Sequence, residues 1–79
     1  MKVFATELQG RTVMSTEGKI IGTLENFVVD TKDGEVHHVL VLPDESVDVT
    51  KFRVDAQGRL VLPFKKLKSA KDVVVMGPL

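Results

Sequence analysis

Lys19 to Leu42 reads KIIGTLENFVVDTKDGEVHHVLVL. Two runs rich in Val, Ile, Leu and Phe flank a short polar stretch centred on Asp33-Gly34. Apolar β-branched runs bounded by Asp and Gly are the pattern of two strands joined by a hairpin. The polar stretch admits a second reading, because Asp30, Asp33, Glu35, His37 and His38 fall close together. A calcium loop of the EF-hand type needs acidic oxygens at alternate positions before its glycine, and helices on either side. Here Lys32 stands two residues after Asp30, so a cation occupies a place that needs a ligand oxygen. The turn reading is favoured, with Asp30 closing the loop onto its own backbone.

His37 and His38 are neighbours on a strand, so their side chains leave opposite faces and do not chelate one ion together. The chain has no cysteine, so other ligands would have to come from elsewhere in the fold. No metal site and no cofactor are expected. One histidine should face solvent and the other should be packed with a hydrogen-bonded ring.

The first of the two runs does not keep one parity. Ile20, Gly22 and Leu24 share a face, while Phe27 and Val29 fall on the other by strict alternation. One extra residue near Glu25–Asn26 would turn all five inward, so a β-bulge is predicted there. A bend in a long strand is also how a small sheet curls toward closure.

Outward from this hairpin the chain is strands punctuated by turns. Residues 2–5 (KVFA) are short and apolar; residues 11–15 (RTVMS), 51–55 (KFRVD), 59–64 (RLVLPF) and 71–76 (KDVVVM) read as further short strands, with Gly18 and Gly58 in tight turns. PFKKLKS breaks the strand pattern: Pro63 suits a helix start, and Phe64 and Leu67 share one face of a helical turn whose lysines face water. Five or six strands at regular spacing predict an all-β fold, a small barrel or a two-sheet sandwich, occupying residues 1–79 as one domain.

Composition narrows the function classes. The 79 residues carry no net charge, but residues 1–50 hold four basic and nine acidic side chains while residues 51–79 hold seven basic and two acidic. Such asymmetry marks either a basic binding face or two halves that interleave and cancel; the second is favoured. No apolar run reaches the about 20 residues of a membrane span, and no secretory leader pattern is present, so no membrane insertion and a cytoplasmic location are expected. The lack of cysteine fits a reducing compartment.

Nothing in the pattern reads as an active site. Ser15, Ser46 and Ser69 lie outside any strand–turn–helix elbow and read as turn and cap residues. Asp44, Glu45 and Asp48 belong to a loop opened by Pro43, which reads as a solvated connection rather than an acid–base pair. Gly18 and Gly22 precede no Lys-Ser pair and no helix, so they do not cradle phosphate. Lys65, Lys66, Lys68 and Lys71 form the best candidate for a nucleic-acid contact through phosphate neutralisation. The chain has no Tyr or Trp, however, and its four Phe read as core, so stacking platforms are scarce. Binding another protein remains, through apolar patches at the barrel ends formed by Val3, Phe4, Met76 and Leu79, or through an unpaired strand edge.

The ordered set of small motifs resembles the PRC-barrel family. Leu8, Gly10 and Val13 match its opening, Glu17-Gly18 and Ile21-Gly22 its turn and second strand, and Val28, Val29, Asp30, Gly34 and Val36 its central hairpin. Pro63-Phe64 and Asp72-Val73-Val74 match the late elements. The resemblance implies a small β-barrel of about six mostly antiparallel strands, with one short helical turn near residues 63–68 and no catalytic residues. Such domains occur in the photosynthetic reaction centre H subunit and in a ribosome maturation factor, and small stand-alone members look like archaeal proteins. Some of their relatives serve as adaptors in cell division. The sequence shows neither the membrane helix of the first protein nor the N-terminal domain of the second, so neither specific role transfers. The resemblance implies a non-enzymatic protein-binding adaptor, plausible as a homodimer, in archaeal cell division or cytoskeletal assembly. The alternative it leaves is an RNA- or ribosome-associated factor using the lysines of residues 65–71.

Overall fold

The structure, a computed structural model, describes residues 5–79, with side chains from residue 7 onward. One helical turn, α1 (Ala5–Leu8), is followed by six strands: β1 (Thr12–Ser15), β2 (Ile20–Val29), β3 (Val36–Pro43), β4 (Leu60–Pro63), β5 (Leu67–Ala70) and β6 (Val73–Met76). Two 3-10 turns cover Val49–Lys51 and Phe64–Lys66. The strands form one sheet in the order β4-β3-β2-β1-β6-β5. Every neighbouring pair is antiparallel except β1 and β6, which run parallel.

The sheet rolls up, and its two edge strands, β4 and β5, are joined by the Phe64–Lys66 turn. No ladder bonds those two edges among the described residues, so chain continuity closes the wall there. Pro63 is the cap residue of this turn, its φ of −64° fixed by its ring. The turn sets the Phe64 ring edge-on to Phe27, centroids 6.0 Å apart at 73°, a favoured aromatic geometry.

Three irregularities in β2 and β3 decide which residues fill the interior. Val13 pairs with Gly22 but Met14 pairs with Ile20, which makes Ile21 an extra residue. Leu24 pairs with Val41 but Asn26 with Leu40, so Glu25 is extra, where the parity change predicted a bulge. Val28 pairs with His38 but Val29 with Val36, so His37 is extra on the opposite strand. Backbone groups at the Glu25 bulge find partners outside the ladder. The Gln9 amide donates to the Glu25 carbonyl at 2.9 Å, and Gly10 N–H donates to the Leu24 carbonyl at 2.9 Å.

The core contains Leu8, Val13, Ile21, Leu24, Val39, Val41, Leu60, Leu62, Val74 and Met76. Strand alternation supplies most of it: Val39 and Val41 from β3, Leu60 and Leu62 from β4, Val74 and Met76 from β6. Two expected inward residues are not there. Ile20 is 50% exposed because the bulge at Ile21 reverses the parity before Gly22, and Ile21 takes its place inside. Val29 is 51% exposed because it ends β2 opposite half-buried Val36, past the buried layers.

Residues 51–55 do not form a full strand; they contribute a single bridge, Val54 to Leu60, and a bond from Val61 N–H to the Arg53 carbonyl at 2.9 Å. The Val49–Lys51 turn occupies the start of that segment, initiated by Asp48, whose side chain accepts from Thr50 N–H. β5 is a strand where a helical turn alone was expected, although its sequence, LKSA, has little strand preference. Pairing with β6 overrides propensity, again around an extra residue, Lys68.

The charge asymmetry is partly folded away. Arg59 bonds Asp55 at 2.9 Å and reaches Glu25 at 3.7 Å, and Arg11 reaches Asp72 at 3.7 Å, so both Glu25 and Arg11 pair across the two halves.

Four aspartates tie turns together and titrate low. The Glu35 N–H on Asp33, the Ser46 hydroxyl on Asp44, the Thr50 hydroxyl on Asp48 and the Arg59 N–H on Asp55 each hold the carboxylate below its ordinary value of 3.8. A pKa lowered by folding contributes stability that is complete above the unfolded value and is lost as pH falls through the folded one. The melting temperature should therefore be flat near neutrality and fall between about pH 5 and pH 2. Asp55→Asn, which keeps an oxygen for the turn, should make that fall shallower in a thermal melt followed by circular dichroism. An unchanged acid limb in that variant would remove Asp55 from the account.

Candidate functional site

The β1–β2 turn and the loop after β3 stand side by side. Ser15, 9% exposed, accepts from Glu17 N–H at 3.3 Å and Lys19 N–H at 3.1 Å through its hydroxyl oxygen. Its oxygen is committed to the turn, as expected of a cap residue. Gly18, at φ +86°, takes the left-handed position that lets the chain reverse. On the other side, Asp44 N–H donates to the Ile21 carbonyl at 2.8 Å and pins the loop to β2. Asp44 in turn accepts the Ser46 hydroxyl at 2.6 Å, and Asp48 accepts the Thr50 hydroxyl at 2.6 Å. These bonds account for the acidic loop as turn structure.

Between the two lies an open cleft of about 730 Å³. Ile20, Ile21, Val47, Phe52 and Leu79 give it apolar walls; Glu17, Lys19, Asp48 and Lys51 put charge around them. Ile20 also faces an adjoining shallow surface with Thr23, Leu42 and Pro43. Ile20 is 50% exposed, Leu42 48% and Leu79 36%. An apolar centre within a charged rim is how protein-binding patches are built.

Of the apolar end residues expected from sequence, Leu79 lines this cleft, while Val3 and Phe4 lie outside the described residues. Met76 is corrected: it is 0% exposed, opposite Leu67 and Ser15, and belongs to the core. Ile20 and Leu42 were not expected in an exposed patch. For Ile20 the signal was hidden by the bulge; for Leu42 simple alternation with buried Val41 would have placed it outside.

Lys65, Lys68 and Lys71 are exposed and Lys66 is half-buried. They run along the Phe64–Lys66 turn, the edge strand β5 and the turn into β6. Lysines on a free edge discourage unwanted strand pairing. Phe64 is half-buried and packs against Phe27 in a T-shaped contact.

The tip of the β2–β3 hairpin differs from expectation. Asp30 accepts Lys32 N–H at 2.7 Å and Asp33 accepts Glu35 N–H at 2.8 Å, so both are turn residues as predicted. The exposed ring, His37, is the hydrogen-bonded one: its Nε2 lies 2.9 Å from Asp33 Oδ2, and its Nδ1 lies 3.9 Å from Asp30 Oδ2. His38 is half-buried beside Pro63 and Phe64.

No helix among the described residues is long and apolar enough to cross a membrane. No curated protein matches the chain. The family model described as PRC-barrel domain matches residues 1–78. Domains of that family are generally non-catalytic modules that often mediate protein interactions. The six-stranded rolled sheet and the match across nearly its whole length lead to one conclusion: the chain belongs to the PRC-barrel domain family.

Proposed function

We propose that this chain is a non-enzymatic adaptor that binds another protein through the apolar surface formed by Ile20, Leu42 and Leu79. The observation that carries the reading is the half-exposed Ile20, which sits between two adjoining concave surfaces and belongs to both. A large aliphatic side chain left in water on a small domain is a natural anchor for a partner. The free edges are poorer docking sites. β5 is four residues long and bulged at Lys68, and β4 is partly covered by residues 53–54. The finer role follows the resemblance: a cytoplasmic adaptor in archaeal cell division or cytoskeletal assembly, acting as a homodimer.

The test compares two sets of variants in affinity capture from native cells, with bound proteins quantified by mass spectrometry and self-association read by light scattering. Ile20→Glu with Leu42→Glu, both on exposed positions, should leave the fold intact and reduce partner capture at least about tenfold, a loss of roughly 1.4 kcal/mol. Lys65→Glu with Lys66→Glu and Lys68→Glu should leave capture unchanged. The reverse pattern, with RNA bound in a strongly salt-dependent way and released by the lysine changes, would replace the adaptor by a ribosome- or RNA-associated factor.

A further inference from the structure

We infer that the tip of the β2–β3 hairpin binds a divalent first-row transition cation of the zinc type through Asp30, Asp33 and His37. This goes beyond the adaptor reading and does not depend on it. One donor atom from each of the three residues lies within 4.8 Å of the others. His37 gives the ion one ring nitrogen: Nε2 lies 2.9 Å from Asp33 Oδ2, near the about 3.4 Å between ligands on a tetrahedral ion with arms near 2.0–2.1 Å, whereas the 3.9 Å contact to Asp30 is made by Nδ1 on the other side of the ring.

The donor set selects the class of ion. One imidazole nitrogen with two carboxylates suits zinc, cobalt or nickel, whereas calcium and magnesium favour oxygen alone. Two carboxylates also balance a doubly charged cation beside a neutral ring.

The site is organised by the backbone around it. Each aspartate spends Oδ1 on an N–H of its own turn, Asp30 on Lys32 and Asp33 on Glu35, and turns Oδ2 toward the ring. An outer bond that fixes a ligand's orientation strengthens the metal it holds. His37 reaches the aspartates because it is the extra residue of the bulge between Val28 and Val29, and bulges re-aim side chains. His38, the neighbour that regular pairing keeps in the ladder opposite Val28, packs beside Pro63 and takes no part. All three ligands are at least partly exposed, which leaves room for water to complete the coordination sphere.

The experiment uses the full, untagged chain after chelator treatment. Zinc is titrated by calorimetry, and cobalt by its visible absorption together with paramagnetic shifts in amide spectra. One ion per chain should bind, with the largest shifts at residues 30–37. Asp30→Asn and Asp33→Asn keep the turn oxygen but lose the anionic ligand, and each should weaken binding at least about tenfold, as should His37→Gln. His38→Gln should bind as the wild type does. Absence of zinc binding by the wild type, or binding that survives His37→Gln, would overturn the assignment; so would loss in His38→Gln alone. Unchanged amide spectra of the metal-free variants exclude misfolding as the cause of any loss.

Discussion

Gly22→Ala is expected to be the most damaging single-methyl change in the chain. A Cβ at Gly22 would sit 2.0 Å from the Leu42 carbonyl oxygen, 2.9 Å from its carbon and 3.0 Å from Pro43 Cα. All three obstacles are backbone, so no side-chain rotation relieves the clash. Relief requires β2 and β3 to separate where Gly22 pairs with Pro43 and Thr23 with Leu42. Overpacking commonly costs about 1–3 kcal/mol and more where nothing can yield. A domain of this size has only about 3–5 kcal/mol of stability from its single core. The variant should therefore be largely unfolded at physiological temperature, read as a lost or strongly lowered thermal transition. Gly18→Ala is the control: φ is +86° but nothing lies within 4 Å of the added methyl. It should cost about 1–2 kcal/mol through backbone strain alone. If Gly22→Ala melted within about 4 °C of the wild type, the shift of 1 kcal/mol at this size, the close approach of the strands would be wrong.

Leu24→Ala and Val29→Ala form the second test, because they measure the bulge. Leu24 is 0% exposed and pairs with Val41, also 0% exposed. Removing its three outer carbons should cost about 2–5 kcal/mol, the loss of apolar burial plus a cavity the rigid wall cannot fill. Val29, 51% exposed, should cost less than about 1 kcal/mol. Urea denaturation at matched slope separates the two outcomes. Equal losses would mean that β2 continues to bury its side chains to the end of the hairpin, against the register observed.

These tests also mark what could be read from residues alone. The hairpin at Asp33-Gly34, the extra residue near Glu25 and the turn after Pro63 were legible because each depends on neighbours in sequence. Glu25 showed itself as a parity change between Leu24 and Phe27, a pattern one strand carries by itself. The bulges at Ile21 and His37 left no such mark. Ile20 and Ile21 are equally apolar, so only the partner β1 decides which one faces inward. His37 becomes the extra residue only through its pairing with β2, and its meeting with Asp30 and Asp33 follows from that register. β5 was missed for the same reason: LKSA becomes a strand because β6 pairs with it. Nothing in its own strand tells Met76 from an end residue; parallel pairing with β1 carries it into the interior.

That parallel pair has a bearing on how the protein comes into being. Thr12 lies beside Val73 and Ser15 beside Met76, partners separated by almost the whole chain. The β2–β3 hairpin closes locally and can form early, but β1 keeps one side bare until the distant strand is delivered. Contacts of such long range carry a loop-closure penalty before they return anything, which slows folding. The N-terminal strands therefore keep an unpaired edge until β6 is in place, and its arrival is what completes the sheet.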